Sequence, residues 1–422
     1  MPIWRPFTLY HDQTPPPLRI VRAQGAYLYT DEGHSLWDGT CAWWVTVHGH
    51  AHPYIAEAIA RQAATLDHVL FGDLIHPPAE KLVEKLVQKT GLPYVFFSDN
   101  GSTATEVAIK IAIQYFFNQG RPRKTLLALE GAYHGDTFGA MAASARDLFT
   151  RPFEAFLFQV KFLPFPSPKN EARLQAALAE IENNPDIIGF IGEPLLQGVA
   201  GMRSYAPAAW DAIARAVRKA GGLVIADEVF TGFGRTGSFL ATDQCREKPD
   251  LLCLSKGLTG GFLPLGLTLA AEHVFAAFQG KDPLRTFYHG HSYTGNPIAC
   301  AAAVANLELW EQPETTQKLH ELVQTQRALA EQLRQMLPPH TVRQTGLVLA
   351  VDLPGQPGYL AEHRHHLKAY AIRRGVYLRP LGSVAYILPT LASRAEELAY
   401  AAEVVVSYVQ ERNAMTASGA AR

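Results

Sequence analysis

The feature that most constrains this fold is a regular alternation of short apolar runs with longer helical patterns between about residue 90 and residue 275. The apolar runs are Tyr94 to Phe97 and the segments TLLAL, IIGFIG, GLVIAD and LLCL. Ahead of GLVIAD, the segment PAAWDAIARAVRKAGG predicts a helix that begins at Pro207 and is stopped by Gly221 and Gly222. Strands that alternate with helices are typical of an α/β domain built on a largely parallel sheet.

The pattern changes at about Glu311 and predicts a second, smaller domain. A polar amphipathic helix is followed by GLVLAVDLP, another helix, GVYLRPLGSVAYILP and a final helix near Arg394 to Arg412. We expect residues 1–50 to contribute to this α+β domain and to the active site, residues 51–311 to form the large domain, and residues 312–422 to form the C-terminal small domain.

Composition excludes several classes of protein. The chain has 422 residues, 48% of them hydrophobic, so it is able to bury a large core. Lys and Arg total 38 against 39 Asp and Glu, without long blocks of one sign, which argues against nucleic acid or an anionic membrane as partner. Neither a secretory leader nor an apolar stretch of about 18 residues is visible. The four cysteines show no C-x-x-C pairing, so we expect a cytoplasmic protein. Because the charge balance argues against nucleic acid and membranes, the expected partners are small molecules or a second copy of the protein.

Two other motifs predict little. GFGRTG at Gly232 to Gly237 matches a dinucleotide-binding turn, but it lies too far from the preceding strand and no convincing helix follows it. The histidines of HGHAHP, His48, His50 and His52, could face one side of an extended segment, but no acidic or cysteine ligand is near. We therefore predict no metal site.

Polar and aromatic residues directly follow each predicted strand. They are the segment SDNGS at Ser98 to Ser102, Tyr133, Glu193, Asp227 and Lys256. Ligands of open parallel sheets bind beyond the carboxyl ends of the strands, so these residues are expected to converge. Each alone could serve a turn or a strand end. Together they provide an amine, an acid, an aromatic face and a helix N-terminus, which is the set that pyridoxal 5′-phosphate requires.

Lys256 and Asp227 carry the chemistry of this prediction. A lysine beside an apolar strand is partly desolvated, which favours the neutral, nucleophilic amine. A carboxylate at the position of Asp227 would stabilise a protonated pyridine nitrogen, and the charged ring would then withdraw electrons from a carbanion beside it.

The phosphate and the two ring faces have candidates as well. DNGS precedes a helix, so unpaired N–H groups would meet a phosphate there, with Gly101 allowing close approach and Ser102 adding a hydroxyl. Tyr133 is expected to stack on one face of the ring. Val229, two residues after Asp227, would contact the other face.

Three consecutive stretches resemble the signature of the class III aminotransferases, which are fold-type I pyridoxal phosphate enzymes. They are LVIADEVFTGFGRTG, LLCLSKGLTGG and HGHSYTGNPIACAAA. The resemblance covers almost the whole chain. It implies that Lys256, Asp227 and Tyr133 are catalytic, with Lys256 as the Schiff-base lysine and proton shuttle. It also implies that Glu193 helps to bind the cofactor, and that the enzyme is a homodimer in which Ser292 reaches the phosphate in the neighbouring subunit.

A finer resemblance narrows the substrate. Six further segments are similar to those of the family members that transfer an amino group to 8-amino-7-oxononanoate in biotin biosynthesis. They are IWRPFT, AWWVTVHGHAHP, DHVLFG, GAYHGDTFGAM, EPLLQGVAGM and GVYLRPLGSVAYILP. That acceptor has a long apolar chain, of which each buried methylene contributes roughly 0.8 kcal/mol, and a carboxylate that an arginine can hold with two hydrogen bonds. The expected substrate-binding residues are Phe7, Trp43, Trp44, Asp136, Arg235, Gly290, Arg379 and Tyr386.

Two positions depart from that finer pattern and leave the amino donor open between S-adenosylmethionine and lysine. Phe7 stands where members that use S-adenosylmethionine usually carry tyrosine, and GHSY at Gly290 to Tyr293 replaces GPTF. Two alternative functions also stay open. One is another class III ω-aminotransferase acting on a diamine, 4-aminobutyrate or acetylornithine, which the paired tryptophans and YLRPLG disfavour. The other is a non-catalytic protein that binds pyridoxal phosphate, which the lack of a basic helix-turn-helix segment disfavours.

Overall fold

The computed structural model describes residues 3–10, 16–338, 341–356, 358–361 and 363–419. Its strands are β1 (Ile20–Gln24), β2 (Tyr27–Thr30), β3 (Ser35–Asp38), β4 (Tyr94–Ser98), β5 (Thr125–Leu129), β6 (Val160–Leu163), β7 (Ile187–Gly192), β8 (Leu196–Gln197), β9 (Arg203–Ser204), β10 (Leu223–Asp227), β11 (Leu251–Leu254), β12 (Gly266–Ala270), β13 (Val342–Thr345), β14 (Val348–Asp352), β15 (Val376–Tyr377) and β16 (Val384–Ile387).

The α-helices are α1 (Pro53–Thr65), α2 (Pro77–Thr90), α3 (Gly101–Asn118), α4 (Phe138–Ala143), α5 (Glu171–Ile181), α6 (Pro207–Lys219), α7 (Glu272–Ala276), α8 (Pro297–Trp310), α9 (Pro313–Met336), α10 (His363–Ile372) and α11 (Ala395–Gly419). The helix predicted at Pro207 is therefore confirmed as α6, and it ends just before the two glycines. None of the helices in the described part of the chain combines the length and the hydropathy that crossing a membrane requires.

The large sheet has seven strands in the order β4-β12-β11-β10-β7-β5-β6. The five strands from β6 to β11 pair in parallel, whereas β12 runs antiparallel to both of its neighbours. The mostly parallel sheet is thus confirmed, and all five predicted strands are present. Strands β7, β10 and β11 are buried along their whole length, because helices cover both faces of a sheet of this kind.

The register of the central strands brings their ends level. Asp227, the last residue of β10, is paired with Cys253 of β11. Lys256 follows only three residues after Cys253, so the acid and the amine leave the same edge of the sheet side by side. The polar residues after β4, β5 and β7 meet at that edge too.

The two ends of the chain share a smaller sheet. Strands β1, β2 and β3 are joined by β15 from the C-terminal part, and β13, β14 and β16 form a separate three-stranded sheet. This pairing supports our proposal that the domains divide near residues 50 and 311. The final helix, expected near Arg394 to Arg412, spans Ala395–Gly419.

Candidate active site

A cavity of about 670 Å³ opens at the carboxyl edge of the large sheet. Among its lining residues are Trp44, Gly101, Ser102, Tyr133, Asp136, Glu193, Asp227, Val229 and Lys256. The residues predicted from the ends of five strands therefore meet in one space. Cavities that bind small organic ligands typically have volumes of roughly 300–1,000 Å³, so this one is of suitable size.

Lys256 starts a short 3-10 turn, Lys256–Thr259, directly after β11 and Ser255. Its Nζ atom lies 5.2 Å from the centroid of the Trp44 ring. Burial lowers the pKa of the Lys256 amine, although the nearby charges of Asp227 and Glu193 oppose the shift. Desolvation is the larger effect, so the neutral amine that nucleophilic attack requires is favoured.

Asp227 is only 4% exposed, and His134 holds its carboxylate in place. Nδ1 of His134 lies 2.6 Å from Oδ2 of Asp227, and the backbone N–H of Val229 donates to Oδ1 at 3.1 Å. The backbone N–H of His134 donates to Oγ of Ser144 at 2.9 Å. The sequence did not predict a role for His134, and its only signal there was its place next to Tyr133.

Glu193 fixes the backbone around Tyr133. Its Oε1 accepts a hydrogen bond from the N–H of Tyr133 at 3.1 Å, and its Oε2 accepts one from the N–H of Gly198 at 3.0 Å. Burial raises the pKa of Glu193 to about 7. Burial also raises the pKa of the Tyr133 phenol, with a smaller contribution from the Asp136 carboxylate, to which the phenol is hydrogen-bonded. The phenol is therefore a neutral hydrogen-bond donor at neutral pH.

The first turn of α3 forms the opposite wall. Asn100 caps this helix by accepting a hydrogen bond from the N–H of Thr103. A Cβ atom at Gly101 would lie 2.5 Å from Cγ1 of Val229, so only glycine permits this approach. The first N–H groups of a helix lack intrahelical partners and attract an anion. Ser102 points its hydroxyl towards the same region, where it accepts from the N–H of Asp136 at 3.1 Å.

Four successive residues, Cys41 to Trp44, have φ values between 48° and 76°, which defines a left-handed turn that the sequence did not predict. Nε1 of Trp44 donates to the hydroxyl of Tyr386 at 3.0 Å. Trp43 contacts Arg379, whose guanidinium carbon lies 4.4 Å from the ring centroid. Phe7 packs edge-on against Trp43 at a centroid distance of 5.4 Å. The turn thus places one tryptophan in the cavity wall and the other among Phe7 and Arg379.

Seven predicted residues do not line this cavity: Phe7, Trp43, Arg235, Gly290, Ser292, Arg379 and Tyr386. Arg235 is 1% exposed and donates through Nη2 to the carbonyls of Trp44 and Thr46 at 3.0 and 2.9 Å. It therefore supports the wall from behind. Gly290 and Ser292 are exposed in the loop before α8.

Two of the three histidines near residue 50 have hydrogen-bond partners in the protein. His50 contacts Oδ2 of Asp38 at 2.9 Å, and His48 contacts Oδ1 of Asn306 at 3.0 Å. In the described ranges, no group of three His, Cys, Asp or Glu side chains is arranged to hold a metal ion.

Comparison with known proteins places this site in a family. The model of the family Aminotransferase class-III matches residues 8–409. A protein of Synechococcus elongatus named adenosylmethionine-8-amino-7-oxononanoate aminotransferase is 48% identical over 408 residues, which cover 94% of this chain and 95% of that protein. A protein of the same name from Aquifex aeolicus is 34% identical over 433 residues, covering 97% and 95%.

Solved structures agree with these matches. The crystal structure of the adenosylmethionine-8-amino-7-oxononanoate aminotransferase of Methanocaldococcus jannaschii superposes with a TM-score of 0.90 at 32% identity, covering 97% of both chains. An amine transaminase of an uncultivated Pseudomonas species, solved with pyridoxal phosphate bound, gives a TM-score of 0.88 at 28% identity and covers 97% of this chain and 98% of its own. The resemblance inferred from the three signature stretches is confirmed, and the chain belongs to the class III aminotransferases.

Proposed function

We propose that the protein transfers an amino group from S-adenosylmethionine to 8-amino-7-oxononanoate, giving 7,8-diaminononanoate for biotin biosynthesis, with pyridoxal 5′-phosphate as its cofactor. The similarity along nearly the whole chain to relatives named for this reaction carries the proposal. The shape and charge of the region around Trp43 and Trp44 support it independently.

The residues of the cavity fit pyridoxal phosphate. The amine of Lys256, the buried carboxylate of Asp227 and the ring of Tyr133 line one space with the open first turn of α3. Val229 packs directly against Gly101, where the Cβ atom of any other residue would clash with the valine side chain. When bound, pyridoxal phosphate supplies an electron-withdrawing ring that stabilises negative charge on the substrate carbon next to the nitrogen.

These residues of the cavity would then have defined tasks. Lys256 would hold the cofactor covalently, and its Nζ would take up and return the proton that moves during transfer. Asp227, fixed by His134, would supply a negative charge to a protonated ring nitrogen. Tyr133, whose backbone is held by Glu193, would orient the ring. Gly101 and Ser102 would hold the phosphate at the helix N-terminus.

The acceptor is proposed to lie along the two tryptophans with its carboxylate at Arg379. Lys368 lies 5.8 Å from the centroid of the Tyr377 ring, and the charges of Arg379 and Arg5 contribute to the lowering of its pKa, after burial. A group of cations beside an apolar wall suits a substrate with a long carbon chain and a terminal carboxylate.

We propose that the enzyme is a homodimer. Gly290 and Ser292 are exposed on the loop before α8, although the family resemblance assigns them to a site. A second copy would bring its Ser292 to the phosphate, in line with that resemblance. The four cysteines are unpaired and buried, which suits the reducing cytoplasm proposed for the protein.

The test is a turnover assay of the purified protein, loaded with pyridoxal phosphate, in which 7,8-diaminononanoate is detected by mass spectrometry. S-adenosylmethionine and lysine are supplied separately as donors, and Lys256→Ala is the inactive control. We expect product with S-adenosylmethionine. Product with lysine alone would reassign the donor and make Phe7 the position to examine next. Turnover of 4-aminobutyrate or acetylornithine, without turnover of 8-amino-7-oxononanoate, would overturn the proposal.

A further inference from the structure

Lys256 has an unusual backbone conformation. Its φ angle is +43°, in the left-handed region that residues with a Cβ atom rarely adopt. Such a conformation persists only where the surrounding structure holds it, and it is found mainly at functional sites. The turn that begins at Lys256 therefore requires anchors that keep the amine directed into the cavity.

Asn306 is the clearest anchor of this turn. It lies on α8, is completely buried, and donates through Nδ2 to the carbonyls of Gly257 and Leu258 at 3.0 and 2.9 Å. These are the two residues that follow Lys256. Because both amide protons are used, the orientation of the side-chain amide is fixed and its Oδ1 atom is left as an acceptor.

His48 completes the network by donating to that oxygen. Its Nε2 lies 3.0 Å from Oδ1 of Asn306, so the proton of the neutral ring is on Nε2. Burial lowers the pKa of His48 to about 4, which keeps the ring neutral at physiological pH. His48 belongs to the same segment as Trp44. This segment packs closely against the residues that follow Lys256, because a Cβ atom at Gly261 would lie 2.8 Å from Cα of Thr46.

We propose that Asn306 and His48 are positioning residues for Lys256, which they hold in its left-handed conformation by fixing the carbonyls of the two following residues. The proposal rests on the function assigned above to Lys256. It links three parts of the chain: the N-terminal segment with Trp44, helix α8, and the turn after β11. Neither residue lines the cavity, so each acts through the backbone.

A buried amide with two carbonyl partners could also contribute only to stability, and the chain contains a matched control for that role. Gln326 is completely buried in the small domain and donates through Nε2 to the carbonyls of Leu347 and Ile387 at 2.8 and 3.3 Å. Gln326→Leu removes the same kind of interaction as Asn306→Leu, but its partner carbonyls belong to Leu347 and Ile387 and not to the turn that begins at Lys256.

The readout is the reactivity of the Lys256 amine as a function of pH. The full-length protein, freed of pyridoxal phosphate, is labelled briefly with acetic anhydride between pH 6 and 11, and acetylation of Lys256 is followed by peptide mass spectrometry. Asp227, Glu193, Asp136 and Arg235, the charged groups that act on this amine, stay unchanged in every variant.

In Asn306→Leu we expect the turn to relax and the amine to become more hydrated. Its apparent pKa should rise by about one unit, which reduces labelling about ten-fold well below that pKa. Gln326→Leu should lower the melting temperature by a comparable amount and leave the Lys256 profile unchanged. A folded Asn306→Leu protein with the wild-type profile would overturn the proposal.

Variants of His48 keep the test decisive if Asn306→Leu does not fold. Glutamine retains an N–H for Oδ1 of Asn306 and leucine does not, so His48→Leu should shift the profile in the same direction and His48→Gln should restore it. Identical profiles for both variants and the wild type would overturn the proposal. The shift in the apparent pKa of Lys256 does not depend on which amino acceptor the enzyme uses. A wild-type enzyme that fails to convert 8-amino-7-oxononanoate while the profiles move as expected would therefore reject only the substrate assignment.

Discussion

Nδ1 of His134 lies 2.6 Å from Oδ2 of Asp227, and both residues are buried in the cavity wall. His134 is itself fixed, because its N–H donates to Ser144 and its carbonyl accepts from the hydroxyl of Thr105 at 2.8 Å. A hydrogen bond to a carboxylate from a side chain that is itself fixed also fixes the orientation of the carboxylate. His134 therefore positions Asp227 at the cavity.

Replacing His134 should weaken binding of pyridoxal phosphate. His134→Leu removes a hydrogen bond to a charged group, which contributes about 1.5–3 kcal/mol, so we expect the dissociation constant to rise roughly ten- to a hundred-fold. Fluorescence titration of the protein with the cofactor measures the change. His134→Asn keeps a donor near the position of Nδ1 and should retain most of the affinity. Equal affinities in the leucine variant and the wild type would contradict this role.

The main residues of the site were predictable because parallel strands impose their arrangement. Five strands of the large sheet were visible as apolar runs, and the residue after each of these runs had to emerge at the same edge of the sheet. Asp227 and Lys256 were found in this way, and pairing of Asp227 with Cys253 accounts for their proximity. The convergence of these strand-end residues follows from strand order and needs no long-range information beyond it.

Other parts of the site depend on contacts between distant parts of the chain, which a single sequence does not reveal. Arg235 appeared to be a substrate-binding candidate, yet its guanidinium is hydrogen-bonded to the carbonyl of Trp44, 191 positions away. Nothing in the sequence indicated a role for Asn306, which lies within an alanine-rich helix. Strands β6 and β12 were not predicted, and the antiparallel pairing of β12 with β11 and β4 does not follow from an alternation of strands and helices. The left-handed turn from Cys41 to Trp44 has no glycine to indicate it.

Gly101 and Val229 should behave as a coupled pair. Gly101→Ala would place Cβ 2.5 Å from Cγ1 of Val229, and overpacking of this kind costs about 1–3 kcal/mol. We expect it to weaken binding of pyridoxal phosphate and of inorganic phosphate as a competitor. Val229→Ala removes both γ carbons, so the double variant should bind more tightly than Gly101→Ala alone. Calorimetric titration of all four proteins gives the coupling energy. Strictly additive losses would show that the two residues do not clash.

The buried carboxyl of Glu228 should make stability depend on pH. Its oxygens accept from the N–H groups of Ala241 and Thr242 at 2.7 and 2.8 Å, and burial raises its pKa from 4.5 to about 7. Between these values the native state keeps a proton that the unfolded state has released. Stability is therefore lost as pH rises towards 7, by up to about 1.4 kcal/mol per pH unit.

Glu228→Gln cannot ionise, so its free energy of unfolding should lack this slope, whatever its absolute value. Urea denaturation of both proteins at intervals from pH 4.5 to 8.5 measures the difference, and effects of other carboxyls such as Glu193 cancel between them. Parallel curves over the whole range would mean that Glu228 does not change its protonation there.

Arg379 should determine affinity for the acceptor and not for the donor. Its guanidinium lies against Trp43, where the carboxylate of 8-amino-7-oxononanoate is proposed to bind. Arg379→Gln removes a charged partner of that carboxylate, so KM for the acceptor should rise roughly ten- to a hundred-fold. Arg379→Lys should recover only part of the loss, because an ammonium does not match a carboxylate with two parallel hydrogen bonds. The primary amide of the acceptor, which lacks the negative charge, should be a poor substrate of the wild type and should lose little further in Arg379→Gln. The rate of the reaction with donor alone, followed by absorbance, should stay unchanged. A similar loss for acid and amide would show instead that Arg379 supports the fold of the pocket.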